Sequence, residues 1–321
     1  GLEWFFESEG TLGIVTKVCL KVRRLPESTS HYLLYFDNVK NLFEFVNAMV
    51  NTSPCPYAIE IFDHKYLGLL KAADYKVTDF GSNSGVVLVT YDGDQEEVDE
   101  GRRVVEKLTS QFNGEAREGA EEEWKQRFNI LRIRRAVPTV ILSSVHVPLI
   151  NLNQFYYGLN RLKKRPIGLL GHVVSKSECM LMPMLVSNER KVIEYTFALH
   201  TPRELSNLAL SLGGRPGGGL GVWNAPYKNK ILSQQKAEEI KKRKEELDSK
   251  GVLNPGMWLD PPLLFRPSVY QLAMAVNSIL DRFLPTSVGK PEEQGFIREF
   301  AACVQCCLLY TSPSPRDRQK S

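Results

Sequence analysis

The chain has no run of ~18 apolar residues, the length a membrane-spanning helix needs, so no transmembrane segment is expected. Its first residues, Gly1-Leu2-Glu3-Trp4-Phe5-Phe6, lack a Met and lack the basic, apolar and cleavage regions of a secretory leader; they read as a cut end. No βαβ pattern carries a G-x-G-x-x-G fingerprint. No G-K-[ST] follows the one glycine-rich stretch, Leu212 to Asn224, which argues against a dinucleotide-binding unit and against a P-loop. Neither sign of charge dominates. With 41 Lys and Arg against 37 Asp and Glu, the net charge of +4 carries no nucleic-acid message. Cysteine is sparse: six, unevenly spread over 321 residues, are too few for a disulfide framework. A reducing, cytoplasmic setting is the expectation, with a peripheral place at a membrane left open.

What is present suits a folded chain of about two domains. Hydrophobic residues at 43% with 24% charged allow a sizeable core. Strand patterns fall at 32–36, 57–62, 85–91, 139–142, 167–174 and 180–186, rich in β-branched and aromatic residues. Helical periods fall between them at 39–50, 64–71, 96–112, 118–135, 151–163 and 189–211. Short links and the missing fingerprint favour an α+β fold, an antiparallel sheet with helices packed on one face, over a doubly wound parallel sheet. The 235–247 stretch mixes both charges at i,i+4 spacing and reads as a solvated helix.

The stretch Ser8-Glu9-Gly10-Thr11-Leu12-Gly13-Ile14-Val15 joins small residues to β-branched ones where a loop enters a strand. Glycine there permits a tight turn and close backbone approach. Seven consecutive residues, Ser8 to Ile14, resemble the G-S-E-G-T-L-G-I-[IV]-T motif that closes the flavin lobe of the FAD-linked oxidases and dehydrogenases, with Glu7 where that family has Gly. Three landmarks follow in the family's order: Ala58-Ile59-Glu60-Ile61-Phe62-Asp63 is similar to its A-x-E-x-x-D strand, Val145-His146-Val147-Pro148 with Leu152 to its V-x-V-P entry to a helix, and Asp248 to Gly256 to its D-P-x-x-x-[LF]-N-P-G close.

The resemblance implies a flavoprotein of the glycolate oxidase or D-lactate dehydrogenase type. It implies three segments: 1–26, the end of an FAD-binding domain; 27–262, the substrate or cap domain; and 263–306, a linker and the start of a 4Fe-4S ferredoxin-type domain. Separately, Cys307 to Asp317 resembles a translated sequencing adapter, which would set 307–321 apart from the fold, the alternative being a genuine Pro/Ser/Arg tail. Glu9, Gly10, Thr11, Gly13 and Ile14 would lie against FAD. Trp124-Lys125-Gln126-Arg127 resembles the family's W-x-x-R element, which makes Arg127 the candidate for holding a substrate carboxylate; an Arg fork suits that task. Arg215, in the glycine-rich loop, is the second candidate, with Trp223 and Asn224 as pocket residues. His172 falls on the first histidine of the H-x-G-D-G-N-x-H metal segment, but Cys179 stands on the second, and Gly217 to Gly221 replace E-H-G-x-G. Three metal ligands cannot be assembled from these positions, which leaves His172 as a general base. Leu142 occupies the place of an assisting lysine. Cys303 and Cys306 resemble the opening C-x-x-C of a 4Fe-4S module, an incomplete ligand set.

The expected function is oxidation of a small 2-hydroxy acid by FAD, with electrons passing to an iron-sulfur module and on to an acceptor protein or quinone. The alternative is a non-catalytic electron-transfer or scaffold subunit that keeps the fold. Convergence of His172, Arg127 and Arg215 on one cleft beside Gly10 to Ile14 would favour the enzyme, and their dispersal over separate faces the alternative. Alone, the chain is expected neither to hold FAD nor to turn over.

Overall fold

A computed structural model describes residue 5 and residues 8–73, 84–127, 133, 136–162, 167–217, 222–227, 230, 233–257 and 261–284. Its strands are β1 Ser28–Phe36, β2 Ala58–Asp63, β3 Gly85–Gly93, β4 Gly114–Glu118, β5 Thr139–Leu142, β6 Val145–Pro148, β7 Ile167–Val173, β8 Glu178–Ser187 and β9 Arg215–Pro216. Its helices are α1 Val39–Met49, α2 His64–Ala72, α3 Gln95–Gln111, α4 Glu121–Gln126, α5 Leu152–Arg161, α6 Val192–Ala198, α7 Thr201–Ser211, α8 Gln234–Leu247 and α9 Pro267–Asp281. All nine strands form one sheet in the order β4-β1-β3-β2-β7-β8-β6-β9, with β5 beside β6 on the same edge of β8. Every pairing is antiparallel.

Period-2 alternation sends successive side chains to opposite faces of this sheet. Leu34, Phe36, Ile61, Val87, Val89, Val147 and Leu181 face the larger helical layer, where α1 lays down Leu42, Phe45, Val46 and Met49 and α5 adds Phe155, Tyr156 and Leu159. Side-chain caps hold the starts of two helices of this layer: Asn38 caps α1, and Asp94 with Glu97 forms a reciprocal capping box on α3. The antiparallel sheet with its helical layer matches the expectation. The other face is not bare, however: Leu33, Phe62, Leu88, Leu170 and Met184 are covered by Tyr66 and Leu67 of α2 and by Ala120, Ile133, Ala136 and Val137.

The strand expected to follow the opening loop does not form: residues 13–26 have no regular secondary structure, and β1 starts at Ser28. Two helical expectations are corrected as well. The expected 118–135 helix does not begin at Glu118, which closes β4, whose five residues pair with Tyr32–Phe36; Gly119 then turns at φ +81° and α4 runs only from Glu121 to Gln126. The expected 189–211 helix is two helices, because Pro202 opens α7 and cannot continue the hydrogen bonding of α6.

Candidate active site

Register carries the site. Glu60 of β2 pairs with His172 of β7, His172 with Met180 of β8, Met180 with His146 of β6, and His146 with Arg215 of β9. These residues therefore form one row across five strands, continued on the other side of Glu60 by Leu88 and Leu33. Side chains along such a row point to the same face. Leu33 and Leu88 belong to the face opposite the main helical layer, so the polar row lies there too.

At one end of the row, Glu60 is only 6% exposed and its Oε2 lies against His172 Nδ1. At the other end, Arg215 Nε and Nη2 donate to Glu178 Oε1 and Oε2, both at 3.3 Å, and His146 Nδ1 lies 3.1 Å from both Arg215 Nη2 and Glu178 Oε2. Burial pushes the Glu178 carboxyl up, but Arg215 and His146 outweigh it and hold the group below its ordinary value.

Trp124 and Arg127 reach the same face from α4. The Trp124 ring stacks on His31 at 5.0 Å between centroids, and His31 Nδ1 lies 2.9 Å from Thr90 Oγ1. The Arg127 guanidinium sits 3.3 Å from the Trp124 ring centroid, a cation–π contact, and Nη1 donates to the Trp124 carbonyl. Burial lowers the Arg127 pKa while the charge of Glu60 pulls it back up, so the guanidinium and that carboxylate are electrostatic neighbours. His172, Arg127 and Arg215 thus share one sheet face.

The opening loop is anchored elsewhere. Lys244 Nζ, on α8, donates to Thr11 O at 2.8 Å, to Leu253 O at 2.7 Å and to Asp248, while Asn254 Nδ2 donates to Glu9 O at 2.6 Å. Gly10 takes φ +71° and has open space where a Cβ would stand. Thr11 is 1% exposed, with Oγ1 donated to Ser8 O at 2.6 Å, so its side chain braces the turn; Ile14, 81% exposed, presents its own.

Other expected residues separate. Cys179 pairs with Val173 and points into the helical side of the core, where burial pushes its thiol up; His172 faces the opposite way, which removes any shared metal. Among the described residues no group of three or more His, Cys, Asp or Glu is placed to hold a metal ion. Of the glycine-rich loop, Gly214 and Gly217 pass against the backbone of His146 and the Ser144 residue, so their smallness serves the approach of β9 to β6. Gly218 to Gly221 other than their sequence, the side chains of Trp223 and Asn224, and Cys303 and Cys306 lie outside the described residues. No helix among the described residues is long and apolar enough to cross a membrane.

Glu60, His146 and Glu178 had no assigned role. For Glu60 and His146 the signal is in the strands, a titratable residue between apolar neighbours in Ile59-Glu60-Ile61 and Val145-His146-Val147; Glu178, after Ser175-Lys176-Ser177, carries none.

The chain is thus a wide antiparallel sheet with a helical layer on one face and an ionisable row on the other. Residues 25–258 match the family described as FAD linked oxidases, C-terminal domain, and the chain belongs to that family. It is 26% identical over 266 residues to the glycolate oxidase subunit GlcD of Bacillus subtilis (strain 168), covering 78% of this chain and 55% of the relative. It is 24% identical over 279 residues to the mitochondrial D-lactate dehydrogenase [cytochrome] of Arabidopsis thaliana, covering 80% of this chain and 47% of that one. The chain therefore spans about half the length of these relatives. The fold resembles 4-ethylphenol oxidase from Gulosibacter chungangensis, solved as an isoeugenol complex, with a TM-score of 0.59 at 13% identity over 75% of this chain and 55% of that one.

Proposed function

We propose that this chain is the substrate-side part of an FAD-dependent dehydrogenase for a small 2-hydroxy acid, of the glycolate or D-lactate kind. The observation that carries the reading is the single row that puts His172 and Glu60 on the same sheet face as Arg127 and Arg215. Such a surface serves an oxidation better than it serves a scaffold, because it gathers a base and cations where a core would be apolar.

The opening loop fits a bulky planar partner: Gly10 leaves open space, Ile14 is exposed, and Lys244 holds the backbone still. Glu9, Gly10, Thr11, Gly13 and Ile14 would hold the flavin, Thr11 through backbone alone. Bound FAD supplies the hydride acceptor. His172 takes the proton of the substrate hydroxyl. Arg127 binds the adjacent carboxylate, since it and His172 both neighbour Glu60. Arg215 is three strands from His172, roughly 14 Å along the sheet, and its fork is engaged by Glu178, which leaves it to shape the far wall. Cys303 and Cys306 supply two thiolates of the four a cubane needs, so they do not fit an iron-sulfur centre by themselves, and no electron step is derived through one. An acceptor protein or a quinone remains the proposed destination, and a cytoplasmic setting the proposed location.

The test uses the protein that carries this chain together with a flavin-binding lobe. With D-lactate or glycolate, His172→Asn is expected to slow single-turnover flavin reduction by about 100-fold or more. Arg127→Met is expected to raise KM, and Arg215→Met to change it far less. Flavin reduction at the native rate in His172→Asn overturns the reading.

A further inference from the structure

We propose that Glu60 is a positioning residue: by accepting Nδ1–H of His172 from the neighbouring strand, it fixes the imidazole in one tautomer and one orientation, with the lone pair on Nε2. The inference deepens the proposed function, because it rests on His172 being the base.

Three observations carry it. Glu60 and His172 are directly paired in the β2–β7 register, so the two side chains leave the sheet side by side and need no loop to bring them together. The contact is specifically Nδ1 to Oε2, with both side chains largely enclosed, at 14% and 7% exposure. A carboxylate so enclosed is costly to bury without hydrogen-bonded or charged partners, and Glu60 has the imidazole on one side and the Arg127 charge on the other. Glu60 sits inside Ile59-Glu60-Ile61, in a strand whose other side chains fill the core.

The consequence is chemical. A neutral imidazole that donates through Nδ1 can accept only through Nε2. In the oxidation, Nε2 of His172 would take the substrate hydroxyl proton, and FAD, when bound, would supply the acceptor for the hydride released as the alcohol carbon becomes a carbonyl. His172 gains one positive charge in that step. The Glu60 carboxylate beside Nδ1 stabilises it without taking the proton, as a carboxylate that orients a catalytic histidine does.

The test reads the tautomer directly. In the 321-residue chain labelled with 15N-histidine, the His172 signals are assigned by their loss in His172→Asn. Wild type is expected to show the Nδ1-protonated pattern. Glu60→Gln, whose amide oxygen can still accept, is expected to keep that pattern in part, and Glu60→Leu to lose it. An Nε2-protonated neutral His172 in the wild type overturns the proposal whether or not either variant folds, as does an unchanged pattern in a folded Glu60→Leu. In the flavin-bearing protein, Glu60→Gln is then expected to lower kcat more than it raises KM. Should the tautomer be as stated while His172→Asn reduces flavin normally, the pairing stands and the assignment of the base falls.

Discussion

The Asp63 carboxyl group is enclosed between α2 and β7, and one oxygen, Oδ1, accepts backbone N–H bonds from both Tyr66 and Leu169 at 2.8 Å. It closes the same Ala58–Asp63 strand that carries Glu60, so one short motif supplies a site residue and a structural cap. Burial pushes the Asp63 pKa up to about 6, against the pull of those backbone donors. The folded chain therefore binds a proton that the unfolded chain has released between about pH 4 and pH 6, and folding stability from this group falls as pH rises through that window. The difference amounts to about 3 kcal/mol. Asp63→Asn retains the accepting oxygen and cannot ionise. Chemical denaturation at pH 4 and pH 7 is expected to show wild type losing about 2 kcal/mol relative to Asp63→Asn, since the unfolded aspartate is already partly ionised at pH 4; parallel pH profiles would show that Asp63 titrates normally. Asp63→Ala removes the cap as well and is expected to be less stable than both at every pH.

At the scale of elements, glycine marks where backbones meet. A Cβ on Gly214 would stand 2.1 Å from His146 O and 3.0 Å from Ala209 O, both backbone atoms that cannot swing aside. Gly214→Ala is expected to part β9 from β6 and cost about 2–3 kcal/mol. Gly68, on the exposed side of α2 with open space around its Cβ position, gives the opposite case: Gly68→Ala is expected to stabilise by about 0.5–1 kcal/mol. Thermal unfolding of the pair checks both signs. The strands around 32–36, 57–62, 85–91 and 139–142 were legible because alternation or β-branching is local. The β4 strand was not: Gly-Glu-Ala-Arg-Glu is charged, exposed and edge-placed, and only its pairing with β1 makes it a strand. The two-residue β9 is likewise a product of tertiary approach. Pro202 was visible in the sequence, yet the periods on either side of it read as one helix.

Across the whole molecule, the candidate site was partly legible. His172, Arg127 and Arg215 were reachable by resemblance; their shared face was not, since it depends on a register that joins residues as far apart as Glu60 and Arg215. Glu60 and His146 gave only the weak signal of an ionisable group inside an apolar strand, and Glu178, at the polar start of β8, gave none. The second long-range tie is Lys244, which bonds Thr11 O, 233 residues away, together with Leu253 O and Asp248. Asp248 is held down to about 2 by Lys244, with backbone donation from Leu253 and Val252. Its contribution is present above the ordinary aspartate pKa and is lost as pH falls through about 2. Lys244→Met keeps the length of the side chain and removes its three bonds. Because the clamp joins the loop to the edge of the fold and leaves the sheet core untouched, the effect is expected to be local: amide exchange across Ser8–Gly13 and Leu253–Asn254 rises, while the global unfolding midpoint moves little. In the flavin-bearing protein the same variant is expected to weaken FAD retention, since a loop that must be ordered on binding adds its ordering entropy to the cost. Unchanged exchange in the loop would show that Lys244 does not hold it, and normal exchange with weakened FAD would move its role from bracing the loop to contacting the cofactor.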